Sequence, residues 1–74
     1  MTTNEGSAIF SKVRKDEYVT VVLNTKEEVT GDFVSYKSGI LTLRVTDYSA
    51  RGGDDKPLTH LSRIPASSIA YREQ

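Results

Sequence analysis

The sequence predicts a mainly β protein, with one short N-terminal helix followed by five strands that form a small, strongly bent antiparallel barrel of SH3-like or OB size. Three observations carry this. Runs rich in β-branched residues alternate apolar and polar side chains from Tyr18 onward. The breaks between them are short and built from Asn, Gly, Ser and Pro. A glycine, Gly31, stands in the middle of the second run, where it weakens a flat strand but lets a long one bend and another backbone come close.

The helix is expected over about residues 4–13. Ile9, Phe10 and Val13 form a narrow apolar stripe at helical spacing, and Thr2 with Glu5 has the spacing of a capping box. Gly6 costs such a helix about 1 kcal/mol relative to alanine, so the segment depends on tucking its stripe against a sheet. The barrel is expected over about 17–72, giving a single domain over 1–74.

"YVTVVL" reads as the first strand and "NTKEE" as its turn, Asn24 supplying the turn chemistry. The return strand "EVTGDFVSY" alternates, which puts Val29 and Phe33 on one face and Val34 and Tyr36 on the other. "KSG" is a tight turn. "ILTLRVTDY" then sets Leu41, Leu43 and Val45 against Ile40, Thr42 and Arg44. "SARGGDDKP" is the one real loop, "LTHLSRI" the fourth strand and "SIAYRE" the last. Between these two strands, "PASS" suits a single 3₁₀ turn, because Pro65 has no amide proton to donate and its ring fixes the backbone φ.

A chain of 74 residues buries only about 60% of the surface its unfolded form exposes, so a lone core is marginal. With no cysteine and a single histidine, disulfides and a zinc cluster do not reinforce it, and oligomerisation is the expected support. The absence of cysteine and of a secretory pattern at the start points to the cytoplasm, and no window is long and apolar enough to span a membrane. Ten acidic and ten basic residues cancel formally, which disfavours a broad phosphate-tracking surface while leaving room for a local one. Lys12, Arg14 and Lys15 form one basic cluster; Lys37, Arg44, Arg51 and Arg63 are scattered.

Catalytic chemistry is not expected. His60 sits in a strand near Thr59 and Ser62, with neither an orienting carboxylate nor a strained nucleophile turn in the pattern. "GGDDKP" lacks the alternating ligand positions of a calcium loop, so no metal and no cofactor is expected, and a single "RGG" carries little where such nucleic-acid segments rely on repetition. Tyr36, Lys37 and Ser38 group an aromatic ring, a cation and a hydroxyl at one turn, the chemistry that stacks a splayed base and holds its phosphate.

The order of one helix and five strands, with the second strand bent at a glycine and the last two joined by a very short link, resembles the Sm-like family, which includes Sm, LSm and Hfq proteins. "VVLNTKEEVTGDFVSYKSGILTL" follows the apolar frame of its first motif through Val21, Leu23, Val29, Gly31, Phe33, Tyr36, Leu41 and Leu43, and "IPASSI" has the length and end residues of its second. The likeness covers about residues 8–72. The chain departs from it at Lys37, where the family has aspartate, at Gly39 and Ile40, around the family asparagine, and at Pro65 and Ala66, in place of arginine and glycine. Those polar groups form the family's uridine pocket.

The resemblance implies a homo-oligomeric ring, joined through strand 4 of one subunit and strand 5 of the next, that binds single-stranded RNA. Its expected contacts here are Tyr36 for stacking, Lys37 and Arg63 for phosphates, and Ser38, Ser67 and Ser68 as hydroxyl partners, with Lys12, Arg14 and Lys15 as a second basic rim. The alternative expectation is an assembly or protein-interaction module that keeps the barrel without RNA binding.

Overall fold

The computed structural model describes residues 1–51 and 56–73. Its elements are α1 (Thr3–Phe10), β1 (Tyr18–Leu23), β2 (Glu28–Lys37), β3 (Ile40–Arg51), β4 (Pro57–Pro65), the 3₁₀ turn Ala66–Ser68 and β5 (Ile69–Glu73). The five strands form one antiparallel sheet in the order β4-β3-β2-β1-β5. The sheet is bent and barrel-like but not closed: β4 and β5 are its two margins.

α1 starts on a capping box. Thr2 Oγ1 accepts from the Glu5 amide at 3.1 Å, while Glu5 Oε1 accepts from the Thr2 amide at 3.0 Å. That backbone hydrogen bond, followed by the hydroxyl of Thr2, lowers the pKa of the Glu5 carboxyl below its ordinary value. The helix ends at Phe10, three residues before the expected end, yet Val13 is still buried because its amide turns back onto the Phe10 carbonyl at 3.2 Å.

Gly31 does the bending. Residues 28–32 of β2 pair with β1, whereas the β2–β3 ladder runs only from Asp32↔Arg44 to Lys37↔Ile40. The two halves of β2 therefore belong to different ladders, and the turn between them brings backbone against backbone. A Cβ on Gly31 would lie 2.5 Å from the Arg44 carbonyl oxygen, closer than real side chains come.

The inner face of this bent sheet holds the core: Val19, Val21, Phe33, Leu41, Leu43, Ile64 and Ile69, capped by Phe10 and Val13. Alternation places Leu41, Leu43 and Val45 inward as expected, and Ile40 outward. It fails in β2. A bulge between Phe33 and Ser35 leaves Val34 out of step, so Tyr36 returns to the Phe33 face instead of the Val34 face. β3 also runs three residues into the segment expected to be loop, and the fourth strand takes in both Pro57 and Pro65 at its ends, where a missing amide is tolerated on a margin.

Candidate functional site

The 3₁₀ turn ties together two hairpin turns that lie at opposite ends of the bent β2. In the β2–β3 turn, Ser38 (φ 51°) and Gly39 (φ 77°) both take left-handed backbone. That is the geometry of a two-residue hairpin loop. The Gly39 carbonyl accepts the Ala66 amide at 2.7 Å, which ties this turn to the 3₁₀ turn. Pro65 leads into that turn with the φ its ring dictates. The β1–β2 turn joins through Asn24, whose side-chain amide donates to the Ser67 carbonyl at 2.7 Å and whose backbone amide donates to the Ser68 carbonyl at 2.9 Å. The Met1 ammonium completes the junction by donating to the Ile69 carbonyl at 2.7 Å.

This stitching brings Lys37, Ser38, Ser67 and Ser68 to the same junction, the first three exposed and Ser68 half-buried. Arg63 lies close by. It pairs with Thr42 on β3, while Lys37 pairs with Ile40. Two strand spacings across and two residues along put the Lys37 and Arg63 Cα atoms roughly 12 Å apart. Both are exposed on the outer face, opposite the core-lining Leu41 and Leu43.

Tyr36 stands apart from them. The bulge turns it to the inner face, where its ring lies 5.2 Å from that of Phe10, and its hydroxyl donates to the Thr3 carbonyl at 2.8 Å. The sheet thus separates the aromatic ring expected to stack from the cations expected beside it. One edge of Tyr36 still lines a shallow hollow with Ser7, Phe10, Ser11 and Phe33. The hydroxyl also sits where a side chain on Gly6 would go. Gly6→Ala, which would add about 1 kcal/mol of helix propensity at an open site, is expected instead to lower the melting temperature by displacing Tyr36 from Thr3. A calorimetric scan of the variant against the parent checks this.

Of the basic rim, Lys12, Arg14 and Lys15 are exposed on the connection after α1. Lys12 also borders a groove of about 380 Å³ between α1 and β5, together with Ala8, Ile9, Tyr71 and Arg72. Arg72 Nη2 donates to Glu17 Oε2 at 3.0 Å, while its Nε is buried with no hydrogen-bond partner. His60 is exposed on β4 opposite Val45. The "GGDD" segment and most of "RGG" lie outside the described residues. Among the described residues no group of three or more His, Asp or Glu is arranged to hold a metal ion, and no helix is long and apolar enough to cross a membrane.

Register also exposes a feature that periodicity alone did not reveal. Beyond Asp32↔Arg44, β2 continues beside β1 and β3 continues beside β4, so the two strands fork. The fork is lined by Tyr18, Thr30, Asp32, Arg44, Thr46 and Tyr48. Tyr18 and Tyr48 are 72% and 73% exposed. Arg44 reaches Asp16 at 3.3 Å in a solvent-facing pair. Pairs of that kind are worth little to stability.

No family model matches the chain, and neither curated proteins nor solved structures yield a match.

Proposed function

We propose that this is an Sm-like protein of the cytoplasm, assembled into a homo-oligomeric ring through β4 and β5, that binds single-stranded RNA in processing or regulation. The observation that carries the RNA reading is the stitched junction at the 3₁₀ turn. Lys37, Ser38, Ser67 and Ser68 share it, with Arg63 one ladder away, so cations and hydroxyls converge on a surface the width of a nucleotide or two. Assembly is supported by the two unpaired margins, which head-to-tail contact would satisfy, and by the marginal core of so short a chain. Repetition around a ring raises a weak site to useful avidity.

The alternative, a barrel kept for assembly or for a protein partner without RNA binding, is favoured by one feature: Tyr36 is engaged by Phe10 and Thr3 rather than presented at the turn. Titration with oligo-U, oligo-A and mixed strands at two salt concentrations separates the readings. RNA binding predicts an affinity that falls with salt and a salt slope reduced by about one for each of Lys37→Ala and Arg63→Ala. No affinity at low salt leaves the assembly reading. A monomer by light scattering at micromolar concentration removes the ring.

A further inference from the structure

The outer face of β3 and β4 differs in charge from the rest of the sheet. Alternation from the core residues Leu41, Leu43 and Ile64 puts Ile40, Arg44, Thr46 and Tyr48 of β3 outward, with Thr42 on the same side but covered by its neighbours, and the ladder sets Thr59, Leu61 and Arg63 of β4 beside them. None of these is acidic. The acids of the outer face, Glu28, Asp32 and Glu73, stand on β2 and β5. From the Lys37 turn the cations Arg63 and Arg44 follow one another along this half, and the row ends in the fork between the two exposed tyrosines.

We propose that one RNA strand runs over this half of the outer face, from the Lys37 turn past Arg63 and Arg44, and stacks a base on the exposed rings of Tyr18 and Tyr48 at the mouth of the fork, whose hollow of about 40 Å³ does not enclose one. The inference rests on the RNA reading above and extends its site to Arg44 and the fork. From Ile40 to Thr46 the track measures roughly 20 Å, six residues at about 3.3 Å each. A strand of several nucleotides covers that distance, within the roughly 4–16 nucleotides that small barrels occupy. The two parts of the track do different work. Lys37, Arg63 and Arg44 meet phosphates without regard to sequence. Arg44 exchanges its solvent-facing pair with Asp16 for a phosphate, and beyond it the fork holds Asp32 and, among the described residues, no second cation, so the fork itself does not favour another phosphate. Its rim suits a planar uncharged ring laid over it, the exposed tyrosines offering stacking surface and Asp32, Thr46 and Thr30 polar groups for the edge of a base.

The test is fluorescence anisotropy of labelled RNA about 12 nucleotides long, more than enough to cover the track, with the parent protein, with Tyr18→Leu/Tyr48→Leu, with Arg44→Gln and with Lys37→Ala/Arg63→Ala, each first checked for parental melting and oligomeric state. Tyr18 and Tyr48 are mostly exposed, so their replacement is not expected to disturb the fold. The proposal expects the tyrosine pair to weaken binding about tenfold or more with the salt slope unchanged, because stacking releases no counterions. Arg44→Gln should reduce the slope by about one. If Lys37→Ala/Arg63→Ala weakens binding but the tyrosine pair binds as the parent does, the fork is overturned and the RNA reading stands. Failure of the parent to bind at low salt overturns both.

Discussion

Gly31→Val is expected to destabilise the protein by about 2–3 kcal/mol, the cost of overpacking a filled interior, and to open the bend of β2. The colliding atom is a backbone carbonyl, that of Arg44, so no side-chain rotation relieves the contact. A stability of about 0.05–0.15 kcal/mol per residue gives a chain of this length roughly 4–11 kcal/mol, so the substitution would consume a large share. Urea denaturation measures it. Trimming the neighbouring side chain is not expected to rescue the variant, since Leu43 Cβ is the more distant contact at 3.3 Å. A midpoint equal to the parent's would mean that the two ladders do not meet at this residue as described.

Leu43→Ala is the second large effect, about 2–5 kcal/mol. Leu43 is fully buried and sits opposite Phe33, at the last stretch where β2 and β3 still run together. The cavity would open beneath the bend, where the close backbone contact of Gly31 limits collapse. The same denaturation experiment checks this, and a loss under about 1 kcal/mol would show that the core relaxes around the site.

Both expectations rest on features that the sequence made partly legible. Mid-strand Gly31 pointed to a bend, and the inward set Leu41, Leu43 and Val45 followed from period two because β3 is regular there. The capping box and the 3₁₀ turn at Pro65 were also readable, since each is fixed by residues a few positions apart. Tyr36 was not. A single extra residue in β2 reverses the face of everything after it, and Val34 carries no local mark of that irregularity. Helical spacing places Val13 in the core, but it reaches the interior from a turn rather than a helix. Among the candidate site residues, the grouping of Lys37 and Ser38 with Ser67 and Ser68 was implicit in the two tight links. The fork between Tyr18 and Tyr48 depends on where a ladder ends, far apart in sequence, and no spacing encodes that.

The pairing of β5 with β1 has a kinetic consequence. Hairpins β1–β2, β2–β3 and β3–β4 each close over short connections, whereas Leu23 meets Ile69 only after the chain between them has been gathered in. The closure entropy of so long a loop must be met before the contact rewards it. The meander is therefore expected to form early and the terminal strand to arrive in the rate-limiting step. By the same logic, that strand is the first to leave on unfolding, and its amides should exchange with solvent ahead of those in β2 and β3.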